Sequence, residues 1–279
     1  MITVAVFGAA GSMGTRAINR LSIEPDEYKV LPVEGTEAGL SQLRLRGLEP
    51  CDPKEAAKQA DAVILAVPDV FIEQVAAELV PRLASGAMVI CLDPAAPYAG
   101  KIKMREDISY FVTHPAHPPV FNEETDWEAR RDFFGSGLAK QAIVSALMQG
   151  PESDYEKGEK IAIQMFGPVL RSHRVTVHQM ALLEPVLSET VAATCLSVIR
   201  EALDETVRRG VPETAARDFL MGHINIELAI LFDEIDWDFS EGAQKAIADA
   251  KKSLFQPDWK KVFEEDKLRE STRRITGSA

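Results

Sequence analysis

The chain has 279 residues, 46% hydrophobic and 27% charged, ordinary globular usage that excludes whole-chain disorder or a collagen-like repeat. Lys and Arg total 31 against 43 Asp and Glu, a formal net charge of −12, so neither nucleic acid nor an anionic bilayer is an expected partner. The longest apolar runs, such as residues 62–68, fall short of the roughly 18 residues that a membrane span needs.

The chain begins Met1-Ile2-Thr3-Val4-Ala5-Val6-Phe7 with neither the basic region nor the cleavage site of a secretory leader, so a strand is expected almost at once. Short apolar runs then alternate with helical patterns, the mark of βα units. Strands are expected at residues 3–7, 28–33, 62–66, 88–92 and 110–113, with helices at 13–21, 53–59 and 70–83, the last N-capped by Asp69. A strand at 142–148, a helix at 154–166 and a short strand at 174–177 follow. Beyond His178 only helical patterns remain, at 185–209, 212–232 and 240–253. The expected fold is α/β: a Rossmann-type parallel-sheet domain over 1–175, then an all-α domain over 176–279. Cys51, Cys91 and Cys195 are widely spaced without a C-x-x-C pattern, which favours reduced thiols and a cytoplasmic location; Cys91 and Cys195 read as packing residues.

The first strand runs into Gly8-Ala9-Ala10-Gly11-Ser12-Met13-Gly14, which opens a helix. Backbone amides in such a turn, with the helix N-terminus behind them, suit a pyrophosphate. Gly11 permits close approach and Gly14 close helix–strand packing, although Ala9 stands where the G-x-G-x-x-G pattern has its first glycine. Glu34 ends the second strand twenty residues beyond Gly14, placed to accept from ribose hydroxyls and repel a 2′-phosphate, so NAD is favoured over NADP. The nearest cations, Arg44 and Arg46, are assigned to a third-strand region. Cofactor contacts are expected from Gly8, Ala10, Gly11, Ser12, Met13, Gly14 and Glu34, and from the later strand ends Val67, Pro68, Asp69 and Asp93.

The turn His114-Pro115-Ala116-His117-Pro118-Pro119 offers two imidazoles as acid, base or substrate donor. In the helical half, His223 and Glu227 share a helix face at i, i+4, a spacing that suits joint ligation of a cation. Their apolar neighbours put the pair in or beside the interior, where a lone carboxylate is costly. Glu184 and Glu189 add two carboxylates, and Pro185 is expected at the first position of a helix.

The segment Met148-Gln149-Gly150-Pro151-Glu152-Ser153-Asp154-Tyr155 and the run Glu189-Thr190-Val191-Ala192-Ala193-Thr194-Cys195 resemble ketol-acid reductoisomerase and its 6-phosphogluconate-dehydrogenase-like relatives. The resemblance implies acidic pairs on core helices that bind divalent metal. Glu189 matches the second acid of the first pair, Glu184 approximates the first at a spacing of five, and His223 with Glu227 occupies the second pair. Histidine in place of an acid implies one cation rather than two, held by Glu189, His223 and Glu227: Mg²⁺ or Mn²⁺, with Ca²⁺ able to occupy the site. Ser240 is similar in position to a substrate-contacting serine. His178 stands near the place of the lysine base of the 6-phosphogluconate enzymes, so it is assigned to substrate, and catalysis to His114, His117, Glu184 and Glu189.

The whole chain resembles the D-apionate oxidoisomerase family, which implies NAD-dependent oxidation of a small branched sugar acid with a shift of a carbon substituent. A simple or decarboxylating 3-hydroxy acid dehydrogenase is the alternative enzyme. A non-catalytic NAD sensor would need the glycine turn and Glu34 but no convergent Glu184, Glu189, His223 and Glu227. The apolar length of 185–209 and 212–232 exceeds what one helical layer buries, which points to a homodimer.

Overall fold

Apolar runs bounded by glycine and proline become one seven-stranded sheet in the computed structural model, which describes residues 1–277. The strands are β1 (Ile2–Phe7), β2 (Tyr28–Val33), β3 (Ala62–Leu65), β4 (Met88–Cys91), β5 (Ser109–Pro115), β6 (Gln141–Gln149) and β7 (Val169–Arg174). Their spatial order is β2-β1-β3-β4-β5-β6-β7. The first five pair in parallel, β6 runs antiparallel to β5, and β7 parallel to β6. Every residue of β3 and β4 is buried, as parallel strands covered on both faces require.

Alternate side chains of these strands feed two apolar layers. On one face α1 (Ser12–Leu21) and α6 (Glu152–Phe166) bury Ala17, Ile18, Leu21, Ile161 and Phe166 with Val4, Val6, Ile64 and Ile90. On the other, α3 (Pro53–Gln59) and α4 (Asp69–Leu79) bury Ala57, Ile72 and Leu79 with Ala5, Val63, Leu65 and Val89. At roughly 1.5–3 kcal/mol for each fully buried Val, Leu, Ile or Phe, these layers dominate the stability of the sheet. The chain leaves β1 in opposite directions toward β2 and β3, so the switch point lies at the carboxyl end of β1.

Several local assignments differ from those read in the sequence. Glu37–Leu45 forms a helix, α2, capped by the Thr36 hydroxyl. Arg46 at its end donates to Thr15 Oγ1 and Asn19 Oδ1 on α1 and belongs to no strand. Pro68, not Asp69, caps α4, and the helix gives way to a 3₁₀ turn at Val80–Arg82 because Pro81 lacks an N–H. The last strand is Val169–Arg174 rather than 174–177, since Thr176 and Gln179 form a reciprocal capping box that starts α7 (Val177–Ala181). Pro185 lies inside a helical run, not at its start. Leu182–Ala193 is wound as a π-helix, whose i→i+5 bonding spares the proline its collision with the carbonyl four residues back.

Two compact units divide after Pro185: one is Met1–Pro185 with the C-terminal segment from Leu268, the other Val186–Lys267. The division is therefore later than 175/176, and α11 (Glu265–Ile275), which buries Leu268 and Thr272, mostly belongs with the sheet rather than with the helical half. The second unit contains α8 (Thr194–Arg208), α9 (Glu213–Leu231) and α10 (Glu241–Leu254). Among its described residues little is buried: Val186, Ala216 and Ala229, and nothing in α8 or α10. Leu196 is 59% exposed, Phe219 69% and Phe232 67%. By length and composition the helical run Val177–Arg208 is apolar enough to cross a membrane, yet it also carries Glu184, Glu189 and Arg200.

Candidate active site

The turn after β1 is shaped by what its glycines lack. Gly8 has φ +84, and a Cβ there would lie 2.5 Å from the Ala66 carbonyl oxygen; a Cβ on Gly14 would lie 2.1 Å from the carbonyl oxygen of Gly8. Both positions exclude any side chain. Gly11 differs: its φ of −67 is ordinary, and an added Cβ would meet nothing closer than 3.4 Å. The fold does not need glycine at 11, and the backbone there is left bare. The N-terminus of α1 has no side-chain cap and no acidic residue in its first turn, which keeps its amides and dipole available to an anion. Ala9, at the irregular position of the motif, is buried with its N–H donated to the Val33 carbonyl. The residues present therefore fit a dinucleotide.

Glu34 stands at the end of β2 beside this turn. Its Oε2 accepts the Ala10 amide at 3.1 Å, and Oε1 accepts the amides of Gly35 and Thr36 and the Thr36 hydroxyl.

The carboxyl ends of β3, β4 and β5 bring further groups to the same edge. His114 Nδ1 lies 2.7 Å from the Leu92 carbonyl oxygen, which can only accept, so Nδ1 carries the proton and Nε2 is the basic nitrogen. Nε2 faces Glu184 Oε2 at 3.5 Å, and both side chains are mostly sheltered. Asp93 accepts the Ala95 amide at 2.7 Å and so starts the short helix α5 (Ala95–Tyr98). Burial, reinforced by Asp93, pushes the Asp69 carboxyl up to about 6, with His114 acting in the opposite sense. Cys91 is buried and its thiol pushed up to about 12, which leaves no reactive thiolate there, whereas Cys195 is only half-buried.

His117 is held at φ +60, an uncommon conformation for a residue with a side chain. Its Nδ1 lies 3.1 Å from the Phe134 carbonyl oxygen, and its ring meets that of His114 edge-on at 6.3 Å. Phe134 belongs to the long β5–β6 connection, which is wrapped around Asp132: four consecutive amides, from Ser136 to Ala139, point at that carboxylate. Arg16 of α1 donates to the carbonyls of Phe134 and Phe166 and lies over both rings, its guanidinium lowered to about 10 by burial. Sequence reading missed Arg16; its signal was a cation among the buried positions of the first helix. It also missed the cluster in which His178, assigned to substrate, meets the Tyr98 ring at a tilt with centroids 5.8 Å apart, while Arg269 from α11 covers that ring at 5.5 Å.

The residues of the second unit behave otherwise. His223 and Glu227 do share a face of α9, but both are exposed rather than interior. The His223 ring stacks on Phe219 at 3.9 Å, and its Nδ1 pairs with the Phe219 carbonyl. Glu189 is likewise exposed, and among the described residues no three His, Cys, Asp or Glu side chains gather as a cation site, so Glu189, His223 and Glu227 do not form one within this chain. Ser240 caps α10 by accepting the Ala243 amide.

Residues 3–96 match the family model described as NADP oxidoreductase, coenzyme F420-dependent, and residues 122–276 that of the phosphogluconate dehydrogenase (decarboxylating) C-terminal domain. The chain is 53% identical to a D-apionate oxidoisomerase from Cupriavidus necator, covering 98% of this chain and 99% of that one. With a D-apionate oxidoisomerase from Blautia hydrogenotrophica it shares 39% over 96% and 94%. Among solved structures, a semialdehyde dehydrogenase NAD-binding protein from Cupriavidus necator, in complex with calcium and NAD, superposes with a TM-score of 0.95 at 52% identity, covering 99% of this chain and all of that one. An NADH-preferring ketol-acid reductoisomerase from an uncultured archean shares the fold at a TM-score of 0.68 and 16% identity, over 99% of this chain and 82% of that one.

The raised Asp69 carboxyl has a consequence for stability. Between pH 3.8 and about 6 the folded chain keeps a proton that the unfolded chain has lost, so stability falls as pH rises through that window. Asp69→Asn removes this penalty: its melting temperature relative to wild type is expected to climb from pH 4 to pH 7 and level off above, and a difference constant across that range would contradict the assignment.

Proposed function

This chain belongs to the D-apionate oxidoisomerase family, and on that premise we propose that it oxidises D-apionate, or a closely similar branched sugar acid, with NAD and rearranges the carbon skeleton in the same turnover. The observation that carries this reading is the pairing of His114 with Glu184 on the sheet edge that also bears the glycine turn. NAD, when bound, supplies the hydride acceptor. The bare backbone at Gly11 and the amides of α1 hold the pyrophosphate, while Glu34 receives the ribose hydroxyls and repels a 2′-phosphate.

His114 Nε2 takes the hydroxyl proton as hydride leaves the carbinol carbon, because Nδ1 is committed to the Leu92 carbonyl. Glu184 stabilises the imidazolium so formed. In the ketone, a substituent then moves with its electron pair from the neighbouring tertiary carbon to the carbonyl carbon. The tertiary hydroxyl loses its proton and becomes the new carbonyl, and the first carbonyl oxygen takes a proton back from His114. His117, whose ring centroid is 6.3 Å from that of His114, is assigned to receive the tertiary hydroxyl proton.

Among the described residues of this chain Glu189, His223 and Glu227 do not gather as a three-ligand group, so the steps above are assigned to side chains alone, while the solved Cupriavidus relative is in complex with calcium. The exposed apolar side chains of α8 and α9 are assigned to a second copy of this chain, each costing roughly 1.5–3 kcal/mol if left in water.

Incubation with NAD and D-apionate is expected to yield reduced cofactor, and His114→Ala to lower kcat by about 10²–10⁴-fold with NAD affinity retained. NAD binding without turnover on any branched sugar acid would overturn the reading in favour of a sensor. Exhaustive chelation should leave NAD affinity unchanged; loss of turnover restored by Mg²⁺ or Mn²⁺ would bring a cation into the reaction. Light scattering at micromolar concentration should report a dimer, and a monomer mass would contradict the assignment of the apolar faces.

A further inference from the structure

We propose that Gly39 and Thr36 are positioning residues for cofactor specificity: they fix the Glu34 carboxylate where it admits a ribose with a free 2′-hydroxyl and rejects a 2′-phosphate. The inference rests on the NAD reading above and deepens it. Glu34 is a flexible side chain at the end of a strand, and an unrestrained carboxylate there would swing aside for a phosphate at little cost.

Three features hold it. First, its oxygens are almost fully engaged by its own chain. Oε1 accepts the Gly35 amide at 2.9 Å and the Thr36 amide and hydroxyl at 3.1 Å each, while among the described residues Oε2 accepts only the Ala10 amide of the glycine turn. A carboxylate has about four lone-pair positions, so the acceptor capacity left for a ligand lies on Oε2. Second, the side chain fills the niche left by the missing side chain of Gly39. A Cβ there would lie 2.5 Å from both Cγ and Cδ of Glu34 and 2.9 Å from Oε1, distances no real contact allows. Third, Thr36 Oγ1 accepts the Gly39 amide as the cap of α2 and has one proton to give, which it donates to Oε1. The amide of Gly39, the hydroxyl of Thr36 and the carboxylate of Glu34 form one directed chain.

Glycine at 39 is otherwise unexplained. The residue is buried in the first turn of α2 and has no left-handed φ, so its backbone conformation suits any L-residue, and alanine would favour the helix. What glycine supplies is room for Glu34.

The test is calorimetric titration of NAD and of NADP into wild type, Gly39→Ala, Thr36→Val and Thr36→Ser, with a melting curve for each. Gly39→Ala must displace the Glu34 side chain, so its preference for NAD over NADP should fall by about tenfold or more, close to that of Glu34→Ala. Thr36→Val should lose preference likewise, and Thr36→Ser, which keeps the hydroxyl, should retain it. A wild type that does not prefer NAD would defeat the underlying reading. A wild type that prefers NAD, with Gly39→Ala folded and its preference within about twofold of wild type, would overturn this inference alone. If Gly39→Ala does not fold, equal preferences in the two Thr36 variants do the same.

Discussion

Only a hydrogen atom fits between α1 and the end of β1 at position 14, where a Cβ would stand 2.1 Å from the Gly8 carbonyl oxygen. That contact seats the helix against the switch point of the sheet, and much of the site follows from it. With α1 in place its N-terminal amides open above Gly11, and Arg16, one turn in, reaches the carbonyls of Phe134 and Phe166. Arg16 thereby ties the β5–β6 connection to the cofactor helix. The same connection supplies the carbonyl that faces His117, so dinucleotide turn and imidazole rim share one rigid support.

The carboxyl ends of the strands carry several acids, Asp69 and Asp93 near each other, in a chain already at net −12. The structure manages this charge by giving each acid a partner. Glu34 is met by four donors, Glu184 by the His114 imidazole, and Asp93 by the Ala95 amide. Asp69, buried and near Asp93, holds its proton up to about pH 6. Two of these acids, Glu34 and Glu184, are the ones to which the proposed chemistry assigns a role.

How much of this was legible in the sequence depends on the range of the interaction. β1, β2, the glycine turn and Glu34 were readable because their signals lie within a few residues: alternation, glycine spacing and a strand-ending acid. The helix α2 was missed because its apolar face is little more than Leu40 and Leu43, too small to show a period. Pro185 was misread because the rule against proline assumes α-helical bonding, and Leu182–Ala193 is wound more widely. Arg16 joins Phe134 across 118 residues, and Tyr98 and Arg269 are further apart still, so no local pattern announces either. His223 and Glu227 were correctly placed on one helix face but not in the interior, because the apolar content of α9 reflects a surface that its own chain leaves uncovered.

In the proposed reaction a hydride leaves the substrate for NAD while His114 takes the proton, before any carbon shifts. D-Apionate carrying deuterium on its carbinol carbon tests that order directly. The label is expected in the reduced nicotinamide, with turnover slowed by a primary isotope effect under single-turnover conditions. Label that instead washes into solvent, with none in the cofactor, would mean that the skeleton rearranges through proton abstraction and would contradict the central claim.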